Sequence, residues 1–276
     1  MKDSPLKDYE ALTAEISERY PTLSKRLGEI ASFALEHPTS MALETIANIA
    51  KTANVQPSAL IRFAKAFGFS GFSEMQRVFQ GYVTMHTASY KERISQDMIE
   101  IEEGKKDSPY GLLSRYCREN IVSLEHLQNG VDPNELDKAV QLMKEADHIY
   151  LIGQRHSLPI STYLSYALSH AGCKVHLLDG IGGLLKEQVA CIGPKDLLIV
   201  TSFHPYSEET MAVVDSIKEV GTPYIAISDN GISPIVRDAN VSFNIHDAQV
   251  HTFRSLTATM LLAQTLATSL LFTCQS

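Results

Sequence analysis

Only four of the 276 residues are cysteine, at Cys117, Cys173, Cys191 and Cys274, and no two of them form a C-x-x-C pair. That spacing suggests neither a zinc knuckle nor a disulfide framework, and reduced cytosolic thiols are the simplest expectation. The first ten residues, MKDSPLKDYE, lack the apolar run of a secretory leader, so a cytoplasmic protein is expected. Long apolar runs are scarce as well. The one charge-free stretch, Leu256 to Phe272, carries Thr257, Thr259, Gln264, Thr265, Thr268 and Ser269, and suits a buried or subunit-interface helix better than a membrane span. Internal repeats and low-complexity tracts are absent, and the histidines do not gather into a metal-ligand pattern, so no metal or cofactor is expected. Positive charge is also in deficit: 24 Lys and Arg against 32 Asp and Glu give a net charge of −8, which excludes a surface that is basic all over. Any nucleic-acid binding must be local.

What is present is a chain long enough for about two domains, 44% hydrophobic, with ample material for buried cores. Between Pro21 and Gln80 the bases Lys25, Arg26, Lys51, Arg62, Lys65 and Arg77 outnumber the acids Glu29, Glu36, Glu44 and Glu74. The segment Thr45 to Phe72 reads TIANIAKTANVQPSALIRFAKAFGFSGF. Ile46, Ile49 and Ala50 repeat at helical spacing, and after a break at Ala53-Asn54-Val55 the series Leu60, Phe63, Ala64 and Phe67 repeats it. Asn54 tolerates the positive φ of a tight turn, and Pro57 suits a first helical turn. Two short helices across such a turn form a helix-turn-helix. Its second helix keeps Gln56, Ser58, Ala59, Ile61, Arg62 and Lys65 off the apolar face, a set able to meet base edges and phosphates.

Elsewhere the N-terminal region reads as a polar lead-in over residues 1–20, a bracing helix through Leu23 to Ala34 that Pro38 ends, and a further helix over 73–82 with Met75, Val78 and Phe79 inward. The polar, charge-rich stretch before Pro109 marks a linker, so the expected division is 1–82, linker 83–108, and 109–276. After a helix near 110–127 and another capped at Asp132, strand and helix alternate. Strands are expected at 148–152, 174–178, 196–202, 223–227 and 241–245, with helices near 159–171, 182–190, 208–220 and 232–237. Such alternation gives an open, five-stranded parallel α/β sandwich. Ligands of these sheets bind where strands feed helix N-termini, and two loops qualify: Gly153 to Ser157, with Arg155 and His156, and Ser202 to Ser207, with His204. Ser157 and Ser207 are the expected helix caps.

The run Val55, Ser58, Arg62-Phe63, Lys65, Gly68-Phe69, Gly71-Phe72 resembles the signature of RpiR-type transcriptional regulators. Gln56 stands where that family commonly has a Ser cap, and Ala59 where it has Thr. The two loops resemble those of the SIS (sugar isomerase) domain, which follows in RpiR proteins and reads roughly G-x-G-x-S and S-x-S-G-x-T-x-E-T. Gly153 and Ser157 match the first, with Arg155 in place of the second Gly. Ser202, Ser207, Glu209 and Thr210 match or substitute in the second, with His204 and Pro205 replacing Ser-Gly. The resemblance implies a regulator of sugar or polyol catabolism, inositol included, whose dimer or tetramer reads a pseudopalindromic operator with half-sites about 10 bp apart or a multiple of that. It also implies an anionic sugar derivative bound at Gly153, Arg155, His156, Ser157, Ser202, His204 and Ser207, with Arg254 near the site. The alternative is a sugar-phosphate isomerase with an accessory helical domain, in which Glu187, His204 or Glu208 would supply the base.

Overall fold

A computed structural model describes residues 5–82, 108–250 and 253–275. The chain divides into two compact units, Met1–Glu102 and Glu103–Ser276. Residues 83–107 of the expected linker, and His251, lie outside the described residues.

The first unit is helical: α1 Pro5–Arg19, α2 Lys25–Glu36, α3 Pro38–Leu43, α4 Ile46–Thr52 and α5 Pro57–Ala66, with a sixth helix, α6, over residues 72–82. Thr45 caps α4 by accepting the Asn48 N–H at 3.3 Å. Asn54 takes φ 52° in the turn, and Pro57 opens α5. Leu60, Phe63 and Ala64 of α5 are buried, as are Ile49 and Ala50 of α4 and Ile30, Ala31 and Ala34 of α2, and α5 packs against both α4 and α2. Gln76 of α6 donates to the Met41 and Glu44 carbonyls, tying α6 to the end of α3.

One expectation fails here. The polar lead-in is the helix α1, which buries Leu12 and Ile16, stacks Tyr9 on Tyr82 at 3.8 Å and sets the Arg19 guanidinium 4.6 Å from the Phe67 ring. Its large apolar residues are Leu6, Tyr9, Leu12 and Ile16, a narrow stripe set among six charged side chains that mask it in the sequence. The bracing helix α2 does end at Glu36, just before Pro38 as expected, and Pro38 in turn opens α3, where its missing N–H costs nothing.

The second unit is three-layered. Helices α7 Pro109–Gly130 and α8 Pro133–Glu145, capped by Ser108 and Asp132, lead into β1 Ile149–Ile152. There follow α9 Leu158–His170, β2 Val175–Leu177, α10 Leu185–Val189, β3 Leu197–Thr201, α11 Glu208–Val220, β4 Tyr224–Ser228 and β5 Val241–Asn244. A two-stranded hairpin, β6 Gln249–Val250 with β7 Phe253–Arg254, precedes the last helix, α12 Thr257–Gln275. The five long strands pair in parallel in the order β2-β1-β3-β4-β5. Every residue of β1, β3 and β4 is buried, as a sheet covered on both faces requires. One face packs on α8, α9 and α12 through residues such as Met143, Leu164 and Leu266. The other packs on α11 through Val213, Val214 and Ile217.

The expected helix at 232–237 is instead a chain of turns. Its backbone bonds run only three residues back, as from Val236 N–H to Ser233 O, and the adjoining β-branched pair Ile235-Val236 favours no helix. The helix expected from 182 starts at Leu185, because Gly180, Gly182 and Gly183 all take positive φ. Asp247 holds the start of α12, accepting the Ala258 N–H at 2.9 Å and the Thr259 hydroxyl. Among the described residues, no helix is long and apolar enough to cross a membrane.

Candidate DNA-reading face and effector crevice

On the first unit, α5 presents Gln56, Ser58, Ile61, Arg62 and Lys65 to solvent, with Ile61 40% exposed although apolar. Ala59 is a correction. It is 3% exposed, because it lies one turn before Phe63 on the same helix face and turns into the core with it. The exposed row is therefore Gln56, Ser58, Ile61, Arg62 and Lys65.

In the second unit, the strand order places the topological switch point between β1 and β3, where loops leave in opposite directions and open a crevice at the carboxyl ends of the strands. The loops Gly153 to Ser157 and Ser202 to Ser207 both start at that point. Gly153 is obligatory: a Cβ there would lie 2.5 Å from Ser161 Oγ and 2.8 Å from the Ser157 carbonyl oxygen. Gly153→Ala is expected to destabilise the protein by about 1–3 kcal/mol through this overpacking, read as a lower urea midpoint at unchanged m-value. Arg155 keeps the left-handed backbone, φ 54°, at the position where a glycine would take it without strain. Its side chain is exposed.

Ser157 does not cap α9 as expected. A 3-10 turn over Arg155–Ser157 runs directly into α9, so Ser157 has helical φ/ψ and makes no side-chain cap bond, and the helical run effectively starts after Gln154. The residue is nonetheless buried at the base of the loop. Ser207 does cap its helix: its Oγ accepts the Thr210 N–H at 3.1 Å and bonds the Thr210 hydroxyl at 2.7 Å. Ser202 is buried, with its N–H on the Ile227 carbonyl and its own carbonyl accepting the Ser228 hydroxyl. The His204 ring is exposed, and the peptide to Pro205 is cis.

Four residues at this crevice escape the sequence reading. Asp229, 7% exposed just beyond β4, accepts the His204 N–H at 2.9 Å, the Tyr206 hydroxyl at 3.0 Å and Arg254 Nη2 at 3.2 Å. Asn230 donates to the Tyr206 oxygen at 3.2 Å. Phe203 is a buried ring with the His156 ring near-parallel at 5.8 Å and the Arg254 guanidinium 4.3 Å from its centroid. Burial, and then the charge of Asp229, push the Tyr206 hydroxyl upward, so it stays a donor. The His156 ring is held below its usual 6.5, first by desolvation and then by Arg254 and Arg155 against the pull of Asp229. Arg254 pairs with Asp229 through only one side of its fork. Its Nη1 is buried with no hydrogen-bond partner among the described residues. Glu187 and Glu208, the carboxylates of the isomerase alternative, are exposed near helix starts. Among the described residues no group of three or more His, Cys, Asp or Glu side chains fits a metal ion.

A model of the helix-turn-helix domain of the rpiR family matches residues 10–84, and a SIS domain model matches residues 142–269. The chain belongs to the RpiR family of transcriptional regulators. This RpiR regulator is 25% identical over 226 residues to an uncharacterized HTH-type transcriptional regulator of Haemophilus influenzae, covering 82% of the chain and 76% of the relative. It is 23% identical over 235 residues to the regulator HexR of Pseudomonas aeruginosa, covering 85% and 78%. Among solved structures, the sugar isomerase domain of an RpiR transcription factor from Sphaerobacter thermophilus covers 59% of the chain and 90% of that domain, with TM-score 0.56 and 23% identity. NanR of Vibrio vulnificus, complexed with ManNAc-6P, covers 95% and 92%, with TM-score 0.53 and 17% identity. The regulator shares their fold, and its two matched segments coincide with the helix-turn-helix and with the parallel sheet.

Proposed function

We propose that this regulator senses an anionic sugar derivative, phosphorylated or carboxylated, in the crevice between β1 and β3, and that occupancy changes its affinity for operator DNA. The observation that carries the reading is Arg254 Nη1: a buried guanidinium nitrogen without a partner leaves its desolvation uncompensated, and an anionic oxygen is the group that satisfies it best. Arg155 stands on the neighbouring loop as a second cation. Ser157, Ser202, His156 and His204 surround the same crevice, where sugar hydroxyls need donors and acceptors of this kind. NanR, a neighbour in fold, is a protein seen with a sugar phosphate, which supports the ligand class. Control of sugar or polyol catabolism, inositol catabolism among the options, follows as the role such a sensor would serve.

The residue after Arg254 also ties this side of the crevice to α7. Arg254 is followed by Ser255, whose hydroxyl donates to Asn120 Oδ1 on α7 at 2.7 Å, and α7 is the first described helix after the helix-turn-helix unit. A ligand that draws on Arg254 therefore pulls on the α7 contact. Subunits pair in this reading, so that two copies of α5 reach one face of the DNA.

A thermal-shift screen with ManNAc-6P, hexose phosphates, inositol phosphates and sugar acids tests the ligand class, since a molecule that binds only the folded state raises its stability. Arg155→Gly is the variant of choice because it removes the cation at a backbone that glycine adopts freely. The expected result is a raised Tm with at least one anionic sugar and a shift reduced in Arg155→Gly, while the uncharged parent sugar gives none. Equal shifts with the charged and uncharged forms would remove the anion from the account.

A further inference from the structure

Between α2, α4 and the start of α5 lies a cleft of about 370 Å³ whose lining includes Arg26, Lys51, Asn54, Gln56 and Arg62, with Ala59 as apolar floor. Three cations from three separate helices converge there, in a protein whose net charge is −8. Clustering like charges around one concavity costs repulsion unless an anion relieves it. Among the described residues, the ion pair on these three cations is that of Glu29 with Arg26, 3.0 Å apart in an exposed i,i+3 pair that holds the guanidinium only weakly. Gln56 precedes the first turn of α5 without using its side chain as a cap, so its amide is free to donate outward. The N-terminal end of α5 adds its positive dipole end at the same place.

We propose that this cleft seats the sugar-phosphate backbone of DNA, with Arg26, Lys51 and Arg62 neutralising phosphates and fixing how α5 enters the major groove. Arg26 lies on α2, outside the helix-turn-helix proper, and becomes an anchor that the motif alone does not reveal. Arg62 is then a phosphate ligand rather than a reader of guanine. Base edges fall to Ser58, Ile61 and Lys65, the exposed members of the expected DNA-reading set that do not line the cleft. This inference rests on DNA binding by the family's helix-turn-helix and is independent of the effector.

The test is the salt dependence of binding to a random-sequence 30 bp duplex, followed by fluorescence anisotropy with the full chain. Each phosphate contact contributes a slope of about 0.9 in log affinity against log salt, so Arg26→Ala and Lys51→Ala should each lower the slope by about that much, and the double variant by about twice as much. Lys138→Ala, which removes the same charge from α8 of the other unit, should leave it unchanged. The preference for a duplex enriched from a random pool by the wild-type protein should survive Arg26→Ala and Lys51→Ala. Wild-type slopes in Arg26→Ala and Lys51→Ala would overturn the proposal, as would a retained slope with lost preference, which would make the cleft a base reader. Absence of any binding by the wild type would instead overturn DNA recognition itself.

Discussion

Asp229→Ala is expected to destabilise the sheet-containing unit by about 3–5 kcal/mol, enough to leave much of it unfolded in a protein of ordinary stability. The carboxylate serves three donors at once, the His204 N–H, the Tyr206 hydroxyl and Arg254, and is the counter-charge for a guanidinium lodged over Phe203. Removing it leaves the Arg254 charge partly buried with neither side of its fork paired. The mechanism predicts its own partial remedy. In the double variant Asp229→Ala/Arg254→Met the orphaned charge is gone and an apolar side chain can lie on Phe203, so part of the loss should return. Urea denaturation of the two single variants and the double variant measures this coupling. Strictly additive losses would show that Asp229 supports the loops only through His204 and Tyr206.

The second large effect belongs to the other unit. Phe63 is fully buried on α5 and packs its ring 4.9 Å from that of Phe67. Phe63→Ala should cost about 3–5 kcal/mol, because the cavity it leaves lies among α2, α4 and α5, where all three helices would have to shift to fill it. The consequence for function is selective. Calorimetric scanning of the variant should show the helical unit melting early, with DNA binding lost at temperatures where the sheet unit is still folded. A loss of DNA affinity without any change in melting would mean that Phe63 serves recognition directly, and the packing argument would fail.

The parts of the fold that were legible in the amino-acid sequence are those governed by local chemistry. Asn54 and Pro57 announced the turn and the start of α5, and the apolar runs between Gly and Pro breaks marked all five parallel strands to within a residue or two. What was misread had a weaker local signal. Ala59 is small enough to sit on either face, and only its spacing from Phe63 shows that it goes inward. The turns at 231–238 contain an apolar pair that mimics a helix stripe without the backbone bonds of one.

The crevice was half legible for a different reason. Its two loops could be placed because each follows a strand in sequence. Asp229, Tyr206 and Phe203 could not be tied to Arg254, since the partners of Asp229 are 23 to 25 residues away and meet only when β3, β4 and the β6-β7 hairpin are assembled. The Asp-Asn-Gly string after β4 reads as an ordinary turn. Ser157 shows the limit of capping rules: the right residue type stands before the helix, but the 3-10 turn in front of it extends the helical run and frees the hydroxyl from capping.

The central claim is that the crevice and the helix-turn-helix are coupled through an anionic sugar derivative, and linkage gives it a direct measurement. With the molecule that produces the largest thermal shift, anisotropy titrations of the enriched operator duplex should give a dissociation constant that changes by about 5- to 150-fold at saturating ligand. Calorimetric titration of the same ligand into the protein–DNA complex should show its affinity changed by the same factor. Operator affinity that is identical with and without saturating ligand would contradict the account, leaving a sugar-binding fold and a DNA-binding fold joined in one chain with no communication between them.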